Sequence, residues 1–124
     1  MTHLPHQPLS PLDGRYREAV SALGEHLSEA GLNRARLHVE IEWLIFLTDH
    51  RMFGSVPLNA KQKASLRTVA TDFNEDDIRE LAELEASTRH DVKAVEYFVR
   101  NRLDSLHITG ISELVHFAAT SEDI

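Results

Sequence analysis

Ser28-Glu29-Ala30-Gly31-Leu32-Asn33-Arg34-Ala35-Arg36-Leu37-His38-Val39-Glu40-Ile41-Glu42-Trp43-Leu44-Ile45-Phe46-Leu47-Thr48-Asp49-His50 is the stretch that decides the fold. Leu32, Ala35, Val39, Trp43, Phe46 and Leu47 recur at steps that keep them on one face of a 3.6-residue helix. Leu37, Ile41, Leu44 and Ile45 widen that stripe, which predicts a long helix buried on more than one side. Trp43 reads as a core anchor, largely buried, rather than a ligand platform.

The same period continues downstream. Gly54 and Pro57 end the long segment, and Asn59 is placed to cap a helix carrying Leu66, Val69 and Ala70. Asn74 with Asp77 three positions on, and Glu75 and Asp76 between, sets acid on the positive end of the next helix. Its inward face reads as Ile78, Leu81, Ala82 and Leu84 or Glu85. From Asp91 to Leu106, Val92, Val95, Val99, Leu103 and Leu106 form another apolar stripe. Thr109-Gly110 interrupts the pattern before a short helix around Ile111 to Phe117. Alternation at period two is absent, as are internal repeats and low-complexity segments, so the predicted class is all-α.

Composition narrows the function classes. The 124 residues are 42% hydrophobic and 27% charged, with a net charge of -7, the profile of a folded globular chain. That charge, with no Lys/Arg run, argues against nucleic-acid binding. No apolar run approaches the ~20 residues of a membrane span, and Met1 to His6 lack the features of a signal peptide. The absence of cysteine excludes disulfides and thiolate metal sites, and His3, His6, His26, His38, His50 and His107 show no metal-ligand spacing. A cytoplasmic protein is the default expectation.

Ser/Thr-x-x-Asp occurs as Ser10/Asp13, Thr88/Asp91 and Thr120/Asp123, in each case a candidate cap. Such pairs are common by chance. If all three cap helices, they present three N-termini whose free N–H groups favour anions. Arg15 offers a planar fork for phosphate or carboxylate and Tyr16 a stacking face, although the plainer reading is an ion pair with Glu18 and a tyrosine packed on the domain. With Thr88 as cap, His90 falls at the second helical position, where a neutral ring is expected in the absence of an anion. It suits anion binding or proton transfer, and equally a surface histidine beside a capping Asp91. Thr120 and Ser121 suit an oxyanion cradle as well as capping. His116, one turn earlier, is placed to face either the site or the core. Lys93 and Glu96 can pair along their helix.

Three stretches carry a family resemblance. Ser10-Pro11-Leu12-Asp13-Gly14-Arg15-Tyr16, Thr88-Arg89-His90-Asp91-Val92-Lys93-Ala94-Val95-Glu96-Tyr97-Phe98 and His116-Phe117-Ala118-Ala119-Thr120-Ser121-Glu122-Asp123-Ile124 resemble, in order and spacing, three N-terminal blocks of the adenylosuccinate lyase family of the aspartase/fumarase superfamily. The resemblance implies a helical N-terminal domain over residues 1–110, with 111–124 opening a central helical bundle. It also implies a lyase that cleaves adenylosuccinate to AMP and fumarate, and a succinylated aminoimidazole carboxamide ribotide in parallel, by β-elimination in purine synthesis. No metal or organic cofactor is implied, and the family assembles each site from three subunits of a homotetramer. By the same resemblance Arg15, Tyr16, Arg89, His90, Asp91, Thr120, Ser121 and His116 contact the purine nucleotide substrate, with His90 assisting the chemistry. The principal acid, a histidine, and the base, on a Ser-Ser-x-Met-Pro loop, lie beyond Ile124. The chain alone is therefore expected to be inactive. Argininosuccinate lyase or fumarase would share fold and chemistry; Asp13-Gly14-Arg15-Tyr16 and Arg89-His90-Asp91-Val92 favour the adenylosuccinate branch over them, and over a non-enzymatic helical interaction module.

Thr120 and Asp123 read as a cap whose helix has no body, so the expected protein is longer than this chain. On that reading residues 119–124 fray, and Ile111, Leu114, Val115 and Phe117 are left exposed or in a contact between copies.

Overall fold

The structure, a computed structural model, describes residues 7–124; the sequence readings at Met1 to His6, including His3 and His6, lie outside the described residues. Five helices carry the fold: α1 (Gly24–Leu27), α2 (Glu29–Asp49), α3 (Ala60–Thr71), α4 (Glu75–Thr88) and α5 (Asp91–Ser105). Single 3-10 turns occupy Ser21–Leu23, Met52–Gly54, Ser112–Leu114 and Ser121–Asp123, and the described residues contain no strand. The class is all-α. By internal contacts the chain forms two units divided between Leu32 and Asn33, within α2.

The first unit is a series of turns followed by α1 and the first residues of α2, with almost every side chain exposed. Ser28 breaks the helix between α1 and α2: its backbone is extended, and its hydroxyl accepts from the Gly31 amide at 3.0 Å. A Cβ at position 31 would stand 2.6 Å from the Glu25 carbonyl oxygen, so only glycine permits this close return of the chain.

The second unit holds the core. Leu37, Ile41, Leu44 and Leu47 of α2 join Leu66 and Ala70 of α3, Leu81 of α4, and Val95, Phe98, Val99 and Leu103 of α5 in one buried cluster. Both predicted asparagine caps form. The Asn59 side chain accepts from the Gln62 amide at 2.9 Å, and Asn74 accepts from the Asp76 amide at 2.9 Å while Asp77 answers the Asn74 amide at 3.1 Å. Arg102 on α5 reaches across to Asp77 at 2.8 Å and Glu80 at 2.7 Å on α4, with its guanidinium 4.1 Å from the Phe98 ring centre.

Three expectations need correction. On α2 the core takes Leu37, Glu40, Ile41, Leu44, Ile45, Leu47 and Thr48, whereas Leu32, Val39 and Phe46 of the first-named stripe are 46%, 40% and 48% exposed. Both stripes obey helical spacing, and only the packing partners choose between them. Trp43 sits between the two, mostly buried and packed against the core cluster, in keeping with its reading as an anchor. Ile111, Leu114 and Val115 are buried in the same cluster rather than exposed, leaving only Phe117 open. Left-handed backbone at His107 (φ 55°) and Gly110 (φ 82°) turns this segment inward. The short helix read there is a single 3-10 turn, Ser112–Leu114. On α4 only Leu81 is fully buried; Ile78 and Ala82 are exposed.

Candidate functional site

Three side chains of α2, at positions 36, 40 and 43, each hold a segment that the sequence marked as functional. Arg36 pairs with Asp91 at the start of α5, Nη2 to Oδ2 at 2.9 Å. Glu40 Oε1 lies 2.5 Å from His116 Nδ1. Trp43 Nε1–H donates to the Phe117 carbonyl at 2.7 Å. With a rise of 1.5 Å per residue, these anchors span about 10 Å of one helix. The second and third sequence blocks are thus tethered to a common support, one helical turn apart.

At the start of α5 the cap differs from expectation. His90, not Thr88, is the N-cap: the Lys93 amide donates to His90 Nδ1 at 3.1 Å. Thr88 is the last residue of α4, its hydroxyl donating to the His90 carbonyl at 3.0 Å. Since α4 ends at Thr88 and α5 begins at Asp91, the chain has no room for a helical His90. An imidazole nitrogen that accepts carries no proton, so the ring is neutral with its N–H on Nε2. The 3.7 Å approach of Asp91 to the same Nδ1 is therefore not an ion pair. Arg89 is exposed and holds left-handed backbone (φ 53°) at the C-terminus of α4. Asp91 is held below the ordinary carboxylate range, first by the Val92 amide it accepts from and then by the Arg36 charge.

The segment at 116–123 is conformationally unusual. His116 and Ala118 both have left-handed backbone, φ 62° and 59°. Such geometry in non-glycine residues costs on the order of 1 kcal/mol or more each and persists only where surrounding contacts enforce it. The Glu40 and Trp43 contacts supply that enforcement. Further on, Asp123 accepts from the Thr120 amide at 2.8 Å and from its hydroxyl at 3.2 Å, so the predicted pairing forms over one 3-10 turn. Ser121 is exposed beside it. A mostly apolar cavity of about 340 Å³ lies next to this segment, lined by Val39, Trp43, Ala118, Ala119, Asp123 and Ile124.

Burial is the largest influence on Glu40 and pushes its carboxyl above the ordinary range. The His116 contact opposes this, and the nearby charge of Glu96 reinforces it. Glu96, also buried, is neutralised by Lys93 and Arg100, each at 2.9 Å. The predicted Lys93–Glu96 pair therefore belongs to a larger buried network.

Arg15 and Tyr16 lie in the first unit, where the Arg15 guanidinium stands 4.7 Å from the Tyr16 ring centre. Among the described residues Arg15 makes no ion pair with Glu18. The Ser10/Asp13 pairing forms, with Asp13 accepting from the Ser10 amide at 2.7 Å, but it opens a run of turns instead of an α-helix. Sequence reading missed Arg36 and Glu40. The available signal was a carboxylate at position 40 between Val39 and Ile41, an acid within an apolar stripe. No group of three or more potential metal ligands occurs among the described residues, and none of their helices is long and apolar enough to cross a membrane.

No protein-family model matches the chain. Over 118 residues it is 42% identical to proteins named adenylosuccinate lyase from Haemophilus influenzae and from Escherichia coli K12, and over 122 residues it is 38% identical to the one from Dictyostelium discoideum. Each match covers 94% of this chain and 26% of the relative. The chain is thus similar over nearly its whole length to part of these lyases, and spans about a quarter of the length of the curated relatives it matches.

Proposed function

We propose that this chain is the N-terminal segment of an adenylosuccinate lyase, and that the intact protein cleaves adenylosuccinate to AMP and fumarate in purine nucleotide synthesis. The observation that carries the reading is 42% identity over 94% of the chain. The parallel cleavage of the succinylated aminoimidazole carboxamide ribotide, a homotetrameric assembly, a cytoplasmic location and a bundle beginning at residue 111 belong to the same proposal.

In this reading the segment binds and orients substrate. His90 carries an Nε2–H free of the cap, a donor suited to a phosphate or carboxylate oxygen and to assisting a proton transfer. Arg89 supplies a bidentate cation, and Arg15 with Tyr16 a charged fork and a stacking face. Asp91 holds the start of α5 through Arg36, and Thr120, Ser121 and His116 furnish further polar contacts. Removal of a proton beside a carboxylate builds negative charge, and fixed donors of this kind lower the energy of that intermediate. The elimination itself needs an acid and a base supplied by the remainder of the protein.

The test is fumarate release, followed by absorbance. The intact protein should turn over adenylosuccinate, and the 124-residue chain should not. Turnover by the purified chain alone, or none by the intact protein, overturns the proposal.

A further inference from the structure

We propose that Glu40 is a positioning residue for His116: it fixes the ring through Nδ1 and leaves Nε2 as the atom presented to an anionic group of the ligand. Three observations converge on this. Glu40 is 0% exposed within the core-facing side of α2. A carboxylate there is costly relative to an apolar side chain of similar size unless it is paired. Its Oε2 has no hydrogen-bond partner among the described residues, and the polar groups that meet the carboxylate both belong to His116: the ring, Nδ1 to Oε1 at 2.5 Å, and the backbone N–H. A carboxylate kept only for packing would be replaced by leucine at no loss.

The second observation is the backbone. His116 and Ala118 are both left-handed, and the Phe117 carbonyl between them is held by the Trp43 indole at 2.7 Å. Two contacts from successive turns of α2 thereby fix the direction of the His116 ring. The third is the ring's other end. Nε2 makes no hydrogen bond among the described residues, and the side chain is 20% exposed. With Nδ1 turned inward, Nε2 points the opposite way.

Carboxylate orientation of a histidine sets its tautomer as well as its angle. With the proton on Nδ1, a neutral ring offers a lone pair at Nε2; a second proton makes Nε2 a donor whose positive charge Glu40 compensates. His90 is the complementary case, its Nδ1 held as an acceptor by the Lys93 amide and its proton on Nε2. The charged groups around Glu40 are His116 and Glu96, the latter neutralised by Lys93 and Arg100.

The identity of the ligand rests on the function proposed above, whereas the tautomer does not, and the two are tested separately. Imidazole 15N spectra of this chain should show His116 protonated at Nδ1, with the proton redistributed to Nε2 in E40L. An unprotonated Nδ1 in the wild type, or an unchanged tautomer in E40L, overturns the proposal whatever the enzyme does. In the intact protein, wild-type fumarate release first establishes the reaction; its absence removes the functional reading alone. E40L should then raise KM more than it lowers kcat, reducing kcat/KM by about tenfold or more. Added to H116N, it should cost no more than about twofold further. Equal losses in both backgrounds show that Glu40 acts other than through His116 and overturn the proposal. If E40L does not fold, E40Q carries the same cycle: its amide oxygen still accepts from Nδ1–H, so a smaller loss that again vanishes with H116N is expected.

Discussion

At residue scale, His90 combines two jobs in one ring, and substitution separates them. Nδ1 caps α5 by accepting from Lys93, and Nε2–H faces away from that bond. H90A removes the cap and should lower stability by about 1 kcal/mol, the usual loss of an N-cap acceptor. H90N replaces the imidazole with a good capping side chain, so its urea midpoint should return close to wild type. In the intact protein H90N should still lose at least about tenfold in turnover. Full recovery of both quantities would reduce His90 to a cap. Glu40 makes a second prediction, in pH. Its native carboxyl is pushed above the ordinary range by burial, so between the ordinary value and the raised one the native state holds more protons than the unfolded state. Stability from this group is therefore present at low pH and lost as pH rises through that window. Asp91 and Glu42, both held below the ordinary range, act with opposite sign at lower pH. The difference between wild type and E40Q isolates Glu40: unfolding midpoints of the wild type should fall relative to E40Q as pH rises across the window. Parallel profiles would refute it.

At the scale of elements, the α4–α5 pair and the α2 clamp show which polar contacts matter. Arg102 is largely shielded from water and reaches two carboxylates on α4, while its guanidinium covers Phe98. R102M keeps most of the apolar contact but leaves Glu80, and the Asp77 Oδ1 not used in the Asn74 cap, without their cation, and should cost about 1–3 kcal/mol. Arg79 pairs with Asp76 on the same helix, but both side chains are mostly exposed. R79A should therefore fall within about 0.5 kcal/mol of wild type, since exposed pairs are screened and held against side-chain entropy. Chemical denaturation of the two variants decides between geometry and exposure as the governing quantity. On α2, W43F removes the bond to the Phe117 carbonyl and leaves Glu40 as the remaining tether. Amides from His116 to Ala119 should then exchange faster with solvent, with less change in those of α5.

At the scale of the molecule, the two units differ in what supports them. The residues from 7 to 30 bury almost nothing, with Leu9 at 98% and Leu27 at 78% exposed, whereas the second unit contains the entire apolar cluster. Ordering a residue costs roughly 1–2 kcal/mol of backbone entropy, which apolar burial must offset. Limited proteolysis of this chain should cut first between Leu9 and Leu27 and spare the segment from Leu37 to Val115. First cleavage inside α5 would contradict the partition of the core.

Much of this architecture was legible in order along the chain because its causes are local. The succession of helices and the Asn59 and Asn74 caps depend on residues a few positions apart and form as read, and Gly110 turns the chain with left-handed backbone, whereas α2 stops at Asp49, ahead of Gly54. Local rules misassigned the cap of α5, because Thr88 was already the end of α4 and only the meeting of the two helices put His90 in the role. The buried side of α2 was undetermined for a different reason. A helix apolar around most of its circumference has no intrinsic inward face, and contacts with α3, α5 and the segment through Val115 decide it. The joining of Asp91, His116 and Phe117 to Arg36, Glu40 and Trp43 is likewise invisible along the chain. The Glu40–His116 pair spans 76 positions and the Trp43–Phe117 bond 74, distances at which sequence spacing carries no geometry and only tertiary packing brings the partners into register.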